Sequence, residues 1–176
     1  MRGVKWLGML AALGWPILVF VLHDRLGSWP LLVMGVGLLA WRVPQARRLA
    51  FGVAALLLAA GIMGHAELGM RAYPVAVNAI MLAIFLASLF QGMPIVERLA
   101  RLREPDLTAA GVRYTRRVTW AWCGFFIING TIATWTVFHT DLAVWTLYNG
   151  VISYGLIGLM FGSEWLLRQR LRRSLT

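Results

Sequence analysis

Each of the three histidines in this chain is followed within two residues by an acid. Imidazole beside carboxylate is the combination that a zinc site or a proton relay uses. None of the pairs shows the HExxH spacing or another close ligand spacing that would sharpen this interpretation. Polar loop residues with no chemical role are the alternative, and we predict neither a metal ion nor a cofactor. The candidate cluster consists of His23, Asp24, His65, Glu67, His139 and Asp141.

Three asparagines, Asn78, Asn129 and Asn149, lie inside long apolar segments. An amide is costly to place in hydrocarbon, so each side chain is expected to find a partner across a helix interface. The amides either join helices by hydrogen bonds, or they line a polar path or a lipid-headgroup pocket between the fourth, fifth and sixth apolar segments. A non-enzymatic role is favoured over catalysis, because the sequence contains no nucleophile elbow, phosphate-binding glycine loop or paired catalytic carboxylates.

The composition is that of a membrane protein. Hydrophobic residues make up 60% of the 176 residues and charged residues 14%, whereas soluble domains are nearer half apolar and a quarter charged. The net charge of +10 does not indicate a nucleic-acid partner, because the basic residues lie in short loops between apolar blocks and form no patch on a soluble module. The single cysteine, Cys123, excludes an intrachain disulfide.

The apolar blocks predict an all-α, polytopic transmembrane helical bundle that forms a single domain over residues 1–176. Each block approaches the roughly 20 residues that a helix needs to cross a hydrocarbon core about 30 Å thick. The second block is the weakest, so five spans, with a re-entrant or tilted interfacial helix in its place, are the alternative to six. The first block resembles a signal peptide but has no convincing cleavage site, and we expect an uncleaved helix. The predicted spans are residues 6–22, 26–43, 49–64, 74–93, 118–138 and 142–166.

The distribution of Lys and Arg predicts that both ends of the chain are cytoplasmic. With the N-terminus inside, only Arg25 and Arg71 of the 17 Lys and Arg residues fall outside. Positively charged residues of short loops stay on the cytoplasmic side, so this asymmetry supports six spans in a bacterial cytoplasmic (inner) membrane. The same topology places all three histidines on the outer side.

The inner loop, residues 94–117, is the largest polar segment. Its first part, PIVERLARLRE, places Ile95, Leu99 and Leu102 on one helical face, which is typical of an amphipathic helix in the headgroup layer. Anionic lipid would hold it there, and the basic tail at 167–176 repeats the pattern. Ordinary anchoring by positive charge is the alternative to specific lipid or partner recognition. The candidate partner- or lipid-binding residues are Arg98, Arg101, Arg103, Trp122 and Trp145.

Four strings in the second half of the chain carry a family resemblance: PIVERLARL, a polar linker with DLT, RRVTWAWCGFFIINGTIATWTVF, and VWTLYNG. In these strings the chain resembles the bacterial intracellular septation protein A family of small inner-membrane proteins. It is also similar to bacterial membrane proteins encoded beside type II fatty-acid-synthase-like clusters that make aryl polyene lipids. The resemblance implies a role in envelope biogenesis and supplies no catalytic residues. The matching residues are Pro94, Arg98, Leu107, Thr108, Ala121, Trp122, Phe125, Phe126, Gly130 and Trp145.

Three functions fit these observations. The first is a non-enzymatic component of cell-envelope biogenesis that binds membrane lipids or the proteins of envelope synthesis and division. The second is a small transporter or flippase-like carrier of a lipid or aryl polyene intermediate, with the three asparagines along its path. The third is a lipid-modifying membrane enzyme that uses the histidine and acid residues. Gly158 and Gly162 form a GxxxG pair, which would let two helices approach closely within the fold or in a homo-oligomer.

Overall fold

The chain is folded entirely into helices, joined by short turns, over the residues that the structure describes. The computed structural model describes residues 14–42, 47–102 and 104–173. This confirms the predicted all-α class. The helices are α1 (Trp15–Leu26), α2 (Ser28–Arg42), α3 (Arg47–Ala60), α4 (Ala66–Arg71), α5 (Tyr73–Phe90), α6 (Ile95–Arg101), α7 (Ala109–His139), α8 (Leu142–Leu147) and α9 (Ser153–Arg173). The π-helical turns Gly61–His65 and Tyr148–Ile152 join α3 to α4 and α8 to α9.

Four of the helical segments are long and apolar enough to cross a membrane. They are Arg48–Arg71, Tyr73–Phe90, Ala109–His139 and Leu142–Leu166, and they overlap the last four predicted spans. The first predicted span, 6–22, begins outside the described residues. The second predicted span, 26–43, corresponds to α2 in the structure. The 15 residues of α2 extend roughly 22 Å, which is less than the thickness of a hydrocarbon core of about 30 Å. The protein therefore has the helices of a membrane protein, and the count of six spans stays a prediction.

The third span was predicted to end at residue 64 and to be followed by an outer loop. In the structure the helix does not end there. Gly64 has a φ of 86°, a left-handed conformation that glycine adopts readily because it has no Cβ. The chain bends there and continues as α4 to Arg71, and Ala72 alone separates α4 from α5. His65 and Glu67 consequently belong to a kinked helix.

The long helix α7 begins nine residues before the predicted start of the fifth span, at Ala109 and not at residue 118. Thr108 caps it, because its Oγ1 accepts a hydrogen bond from the Gly111 N–H at 3.2 Å, which satisfies one of the free N–H groups of the first turn. The 31 residues of α7 extend roughly 46 Å, more than a hydrocarbon core of about 30 Å. The second half of the predicted polar loop is thus the first part of a helix that is long and apolar enough to cross a membrane.

Two buried tryptophans attach neighbouring helices to the end of α4. Trp15 Nε1 donates to the Met70 carbonyl oxygen at 3.3 Å, and Trp145 Nε1 donates to the Arg71 carbonyl oxygen at 3.1 Å. The last carbonyl oxygens of a helix have no hydrogen-bond donor within it. The two indole N–H groups are the donors for these oxygens. Gly35 on α2 gives the Trp15 ring its room, because a Cβ at this glycine would lie 2.7 Å from Trp15 Cζ2.

Arg71, predicted as one of two outer-loop arginines, is buried and caps α7. Its Nη2 donates to the carbonyl oxygens of Thr136 at 3.1 Å, Thr140 at 2.6 Å and Asp141 at 3.4 Å. A cation at the C-terminus of a helix is favourable, since the carbonyls there carry partial negative charge. Glu67 Oε1 lies 3.5 Å from Arg71 Nη1. Arg71 therefore holds α4 to the end of α7.

Candidate functional site

An elongated cavity of about 800 Å³ lies between α5, α7 and α9. This volume is typical of pockets for small molecules and cofactors, which span roughly 300–1,000 Å³. The lining runs along the last helical segment from Asn149 to Trp165, roughly 24 Å at 1.5 Å per residue. The wall is mostly apolar, so the cavity suits a long apolar molecule. Its apolar lining includes Val77, Ile80, Met81, Phe85, Val96, Trp122, Phe126, Ile157 and Phe161.

A hydrogen-bonded network of amides and hydroxyls lies toward one end of the cavity, which we call the closed end because its asparagines are buried. Asn129 is the centre of this network. Its Nδ2 donates to Asn78 Oδ1 at 3.1 Å and to Ser153 Oγ at 2.9 Å. Its Oδ1 accepts from Tyr148 Oη at 3.0 Å and from Ser153 Oγ at 3.1 Å. Every hydrogen-bonding position of this amide is therefore used, and three segments of the chain meet on it.

Asn149, in the π-helical turn Tyr148–Ile152, also lines the closed end. Its Nδ2 donates to Thr136 Oγ1 at 3.1 Å and to the Trp145 carbonyl oxygen at 2.9 Å. Its Oδ1 is buried and has no hydrogen-bond partner within residues 14–42, 47–102 and 104–173. The prediction that all three asparagines find partners across helix interfaces is confirmed. Sequence reasoning missed Tyr148, Ser153 and Thr136, whose hydroxyl-bearing side chains resemble ordinary helix residues until the tertiary contacts are known.

The opposite end of the cavity, which we call the mouth, lies beside α6. Leu99, Leu102 and Trp165 line it and are exposed, Leu102 at 81%. The predicted apolar face of α6 therefore borders the mouth. The face that packs on the protein consists of Val96, Glu97 and Ala100, all buried. An amphipathic helix at the mouth of an apolar cavity is suited to pass an apolar chain between the membrane and the interior.

The arginines of the inner loop have different roles in the structure. Arg101 is committed to contacts within the protein, since its Nη2 lies 2.8 Å from Glu97 Oε1 and its Nη1 donates to the Pro105 carbonyl oxygen at 2.9 Å. Arg98 is exposed, with its Nε bonded to the Met93 carbonyl oxygen at 2.9 Å. Arg103 lies outside the described residues. Of the two that are described, Arg98 is the better placed to meet a headgroup.

The two candidate tryptophans lie inside the protein. Trp145 is 0% exposed and bonds to the end of α4, so in this structure its ring contacts no molecule outside the fold. Trp122 is buried in an aromatic cluster, and its ring centroid lies 4.8 Å from that of Phe161 on α9, so the two rings are in direct contact. It lines the cavity and would contact a bound ligand there. Both rings are thus buried within the described part of the chain, and their role as partner- or lipid-binding residues stays a prediction.

The histidines and acids do not converge. His65 Nδ1 is 3.0 Å from the Met63 carbonyl oxygen, and His139 Nδ1 is 3.2 Å from that of Trp135. His23 Nδ1 lies 3.6 Å from Asp24 Oδ1, whereas Asp141 caps α8 by accepting from the Val144 N–H at 2.8 Å. Across the described part of the chain, no three His, Cys, Asp or Glu side chains are placed to hold a metal ion. The six candidates act within their own segments.

Family models, curated proteins and solved structures give no match to this chain. The geometry of the cavity is therefore the main guide to its chemistry. Glu164, near the mouth, is the one charged residue among those described along the cavity wall. A wall of apolar side chains with a few fixed amides and hydroxyls favours binding an amphiphile.

Proposed function

We propose that this protein is a bacterial inner-membrane component of cell-envelope biogenesis that binds a lipid-like molecule in the cavity between α5, α7 and α9. The ligand's apolar chain lies along the cavity, and its polar head lies at the mouth beside α6. The role is one of binding and presentation, without catalysis. In the predicted topology the mouth is on the cytoplasmic side of the membrane.

The cavity is the single observation that carries this proposal. It is about 800 Å³ in volume, mostly apolar, and open beside an amphipathic helix. An apolar chain that enters the cavity would bury its own apolar surface and that of the wall. It would pack against aromatic rings such as those of Trp122 and Phe126. The exposed Arg98 on α6 supports an anionic or strongly polar head, because arginine binds carboxylate and phosphate through several donors.

The resemblance of the second half to the intracellular septation protein A family supports the envelope part of the proposal. Several matching residues are in the elements that build the cavity: Pro94 precedes α6, Thr108 caps α7, and Trp122 and Phe126 line the wall. The similarity to proteins encoded beside aryl polyene clusters widens the ligand class to polyene-like chains. Envelope-synthesis or division proteins would then receive the bound molecule.

Filling the cavity is expected to reduce capture of the ligand strongly. Ile157 lines the cavity on α9, and Ile157→Trp places a bulky ring where the chain lies. The ring takes up volume that the chain would occupy, and a loss of about 1.4 kcal/mol or more of binding free energy should decrease the ligand that leaves the membrane with the protein about tenfold or more. The measurement is mass spectrometry of the protein extracted with its surrounding lipid in polymer nanodiscs.

Leu159→Trp is the matched control. Leu159 lies two residues further along the same helix, is 69% exposed and is not part of the cavity wall. This variant should capture the same ligand as the original protein. Equal lipid composition in all three samples, matching the bulk membrane, would overturn the proposal. Co-extracted division or wall-synthesis proteins with no enriched lipid would instead favour a scaffold that recruits proteins.

A carrier that moves a lipid across the membrane is the second candidate. Its support is that all three buried asparagines line one cavity, as a polar path between the helices would require. Reconstituted protein should then speed the movement of a fluorescent phospholipid between the leaflets of vesicles, and Ile157→Trp should slow that movement. A rate equal to that of empty vesicles would exclude the carrier function for this lipid and leave the binding role unaffected.

A further inference from the structure

Contacts made by α7 limit the width of the cavity. At the closed end Asn129 bonds to Asn78 on α5 at 3.1 Å and to Ser153 on α9 at 2.9 Å, so the three walls converge on one amide. Further along α7, the ring centroid of Trp122 lies 4.8 Å from that of Phe161 on α9. Since α7 contacts α9 at both levels, the cavity cannot widen between these two helices there.

The length of the cavity can be read from two of its walls. Its lining extends from Asn149 to Trp165 along the last helical segment, roughly 24 Å, and from Tyr114 to Asn129 along α7, roughly 22 Å, at 1.5 Å per residue. A volume of about 800 Å³ over roughly 24 Å corresponds to a mean cross-section of roughly 33 Å². The cavity is therefore a channel that is roughly 6.5 Å wide on average.

These dimensions match one hydrocarbon chain. Non-bonded carbon atoms pack about 3.5–4.0 Å apart, so one extended chain needs a width of about 4 Å and two chains side by side need about 8 Å. Carbon–carbon bonds of about 1.5 Å in a zigzag advance about 1.25 Å per carbon. With about 4 Å taken up by contact of the chain's tip with the closed end, the remaining 20 Å or so holds about 16 carbons.

We infer that the ligand is a single-chain amphiphile, with one linear chain of about 16 carbons, and that the cavity selects this chain by number and by length. This inference rests on the proposed binding function and adds the class of the ligand. A two-chain lipid would leave its second chain outside the channel. A longer chain would reach the closed end early and hold its head away from the mouth beside α6, whereas a shorter chain would leave part of the wall uncovered.

The number of chains is tested with two probes that share one head group, palmitoyl lysophosphatidylglycerol and dipalmitoyl phosphatidylglycerol. Each competes with a bound fluorescent fatty acid on the full-length protein in phosphatidylcholine nanodiscs. Affinity is expressed as the mole fraction of probe in the bilayer, so that the free energy of leaving water cancels between probes. The single-chain probe should displace the fluorescent acid at a mole fraction about tenfold lower than the two-chain probe, since only one chain fits the channel.

The length of the chain is tested with the lauroyl, palmitoyl and behenoyl forms of the same lysolipid. The palmitoyl form should bind most tightly, and the shorter and the longer form should each bind about tenfold more weakly. Val77 lines the cavity next to Asn78 on α5, and Val77→Trp shortens the channel at its closed end, so the lauroyl form should then bind most tightly. Leu86→Trp is the matched control, because Leu86 is 36% exposed on α5 and is not part of the wall. This control should keep the preference for the palmitoyl form.

The outcomes separate this inference from the proposed function. Equal displacement by the one-chain and two-chain probes, or equal binding of all three chain lengths, overturns the selection of a single chain while leaving the cavity as a lipid site. An unchanged preference for the palmitoyl form in Val77→Trp overturns the role of the closed end in measuring chain length. Displacement by none of the probes counts against both the inference and the proposed function. Where Val77→Trp does not fold, the three chain lengths on the original protein decide the question.

Discussion

Replacing Trp145 by alanine is expected to lower the free energy of unfolding by about 3–5 kcal/mol, the usual cost of truncating a buried tryptophan. Trp145 is 0% exposed, and its indole N–H is bonded to the Arg71 carbonyl oxygen at 3.1 Å. The substitution leaves a cavity and removes the contact between α8 and α4. Reversible unfolding of the purified protein, followed by tryptophan fluorescence or steric trapping, measures the loss.

Two controls separate packing from hydrogen bonding at this position. Trp145→Phe keeps most of the ring and removes the N–H donor, so it should cost about 1–2 kcal/mol. Trp135 is 55% exposed on α7, and Trp135→Ala should change stability by less than about 0.5 kcal/mol. Equal losses for Trp145→Ala and Trp135→Ala would contradict the buried structural role of Trp145 and reopen it as a contact for partners.

Replacing Arg71 by methionine is expected to lower the free energy of unfolding by about 3 kcal/mol. The guanidinium bonds to three carbonyl oxygens at the end of α7, and hydrogen bonds from charged groups contribute about 1.5–3 kcal/mol. Methionine keeps much of the apolar stem and cannot donate. The same unfolding measurement applies, and hydrogen exchange at the end of α7 should increase.

Arg25→Met is the matched control for Arg71→Met. Arg25 is the other arginine predicted on the outer side, it is exposed near the end of α1, and its loss changes the charge of the outer loops equally. Because no carbonyl oxygen in the described part of the chain accepts a hydrogen bond from Arg25, the effect of this substitution should stay within about 0.5 kcal/mol. Similar losses for both variants would attribute the effect to charge and topology, and would contradict the role of Arg71 as a cap.

Hydropathy predicted the fold class because it records the one property that long apolar helices share. It misplaced the start of α7 because Arg113, Arg116 and Arg117 lower the local hydropathy while remaining compatible with a helix. It predicted an outer loop after residue 64 because the left-handed conformation of Gly64 allows a bend that composition does not reveal. Both errors concern where a helix meets water, and sequence patterns are least reliable at element boundaries.

The sequence identified the asparagines of the site, but it did not predict the shape of the cavity. Asn78, Asn129 and Asn149 stand out because an amide in hydrocarbon needs a partner. Which group serves as partner depends on packing: Asn129 bonds to Asn78, which is far away in sequence, and to Ser153 beyond the next turn. The cavity itself depends on how α9 is placed beside α7, and no local pattern encodes that. Trp145 was predicted as a partner- or lipid-binding residue, whereas its tertiary contacts bury it.

The network around Asn129 also has a consequence for the order in which the protein is made. A chain is synthesised from its N-terminus, so Asn78 is already in place when α7 emerges, whereas Tyr148 and Ser153 follow later. During that interval Asn129 has one of its three partners, and three of its four hydrogen bonds depend on residues that are not yet synthesised. Joining α7 to α5 through the two asparagines would hold the newborn helix in register. The last helix then completes the network and closes the cavity in the same event.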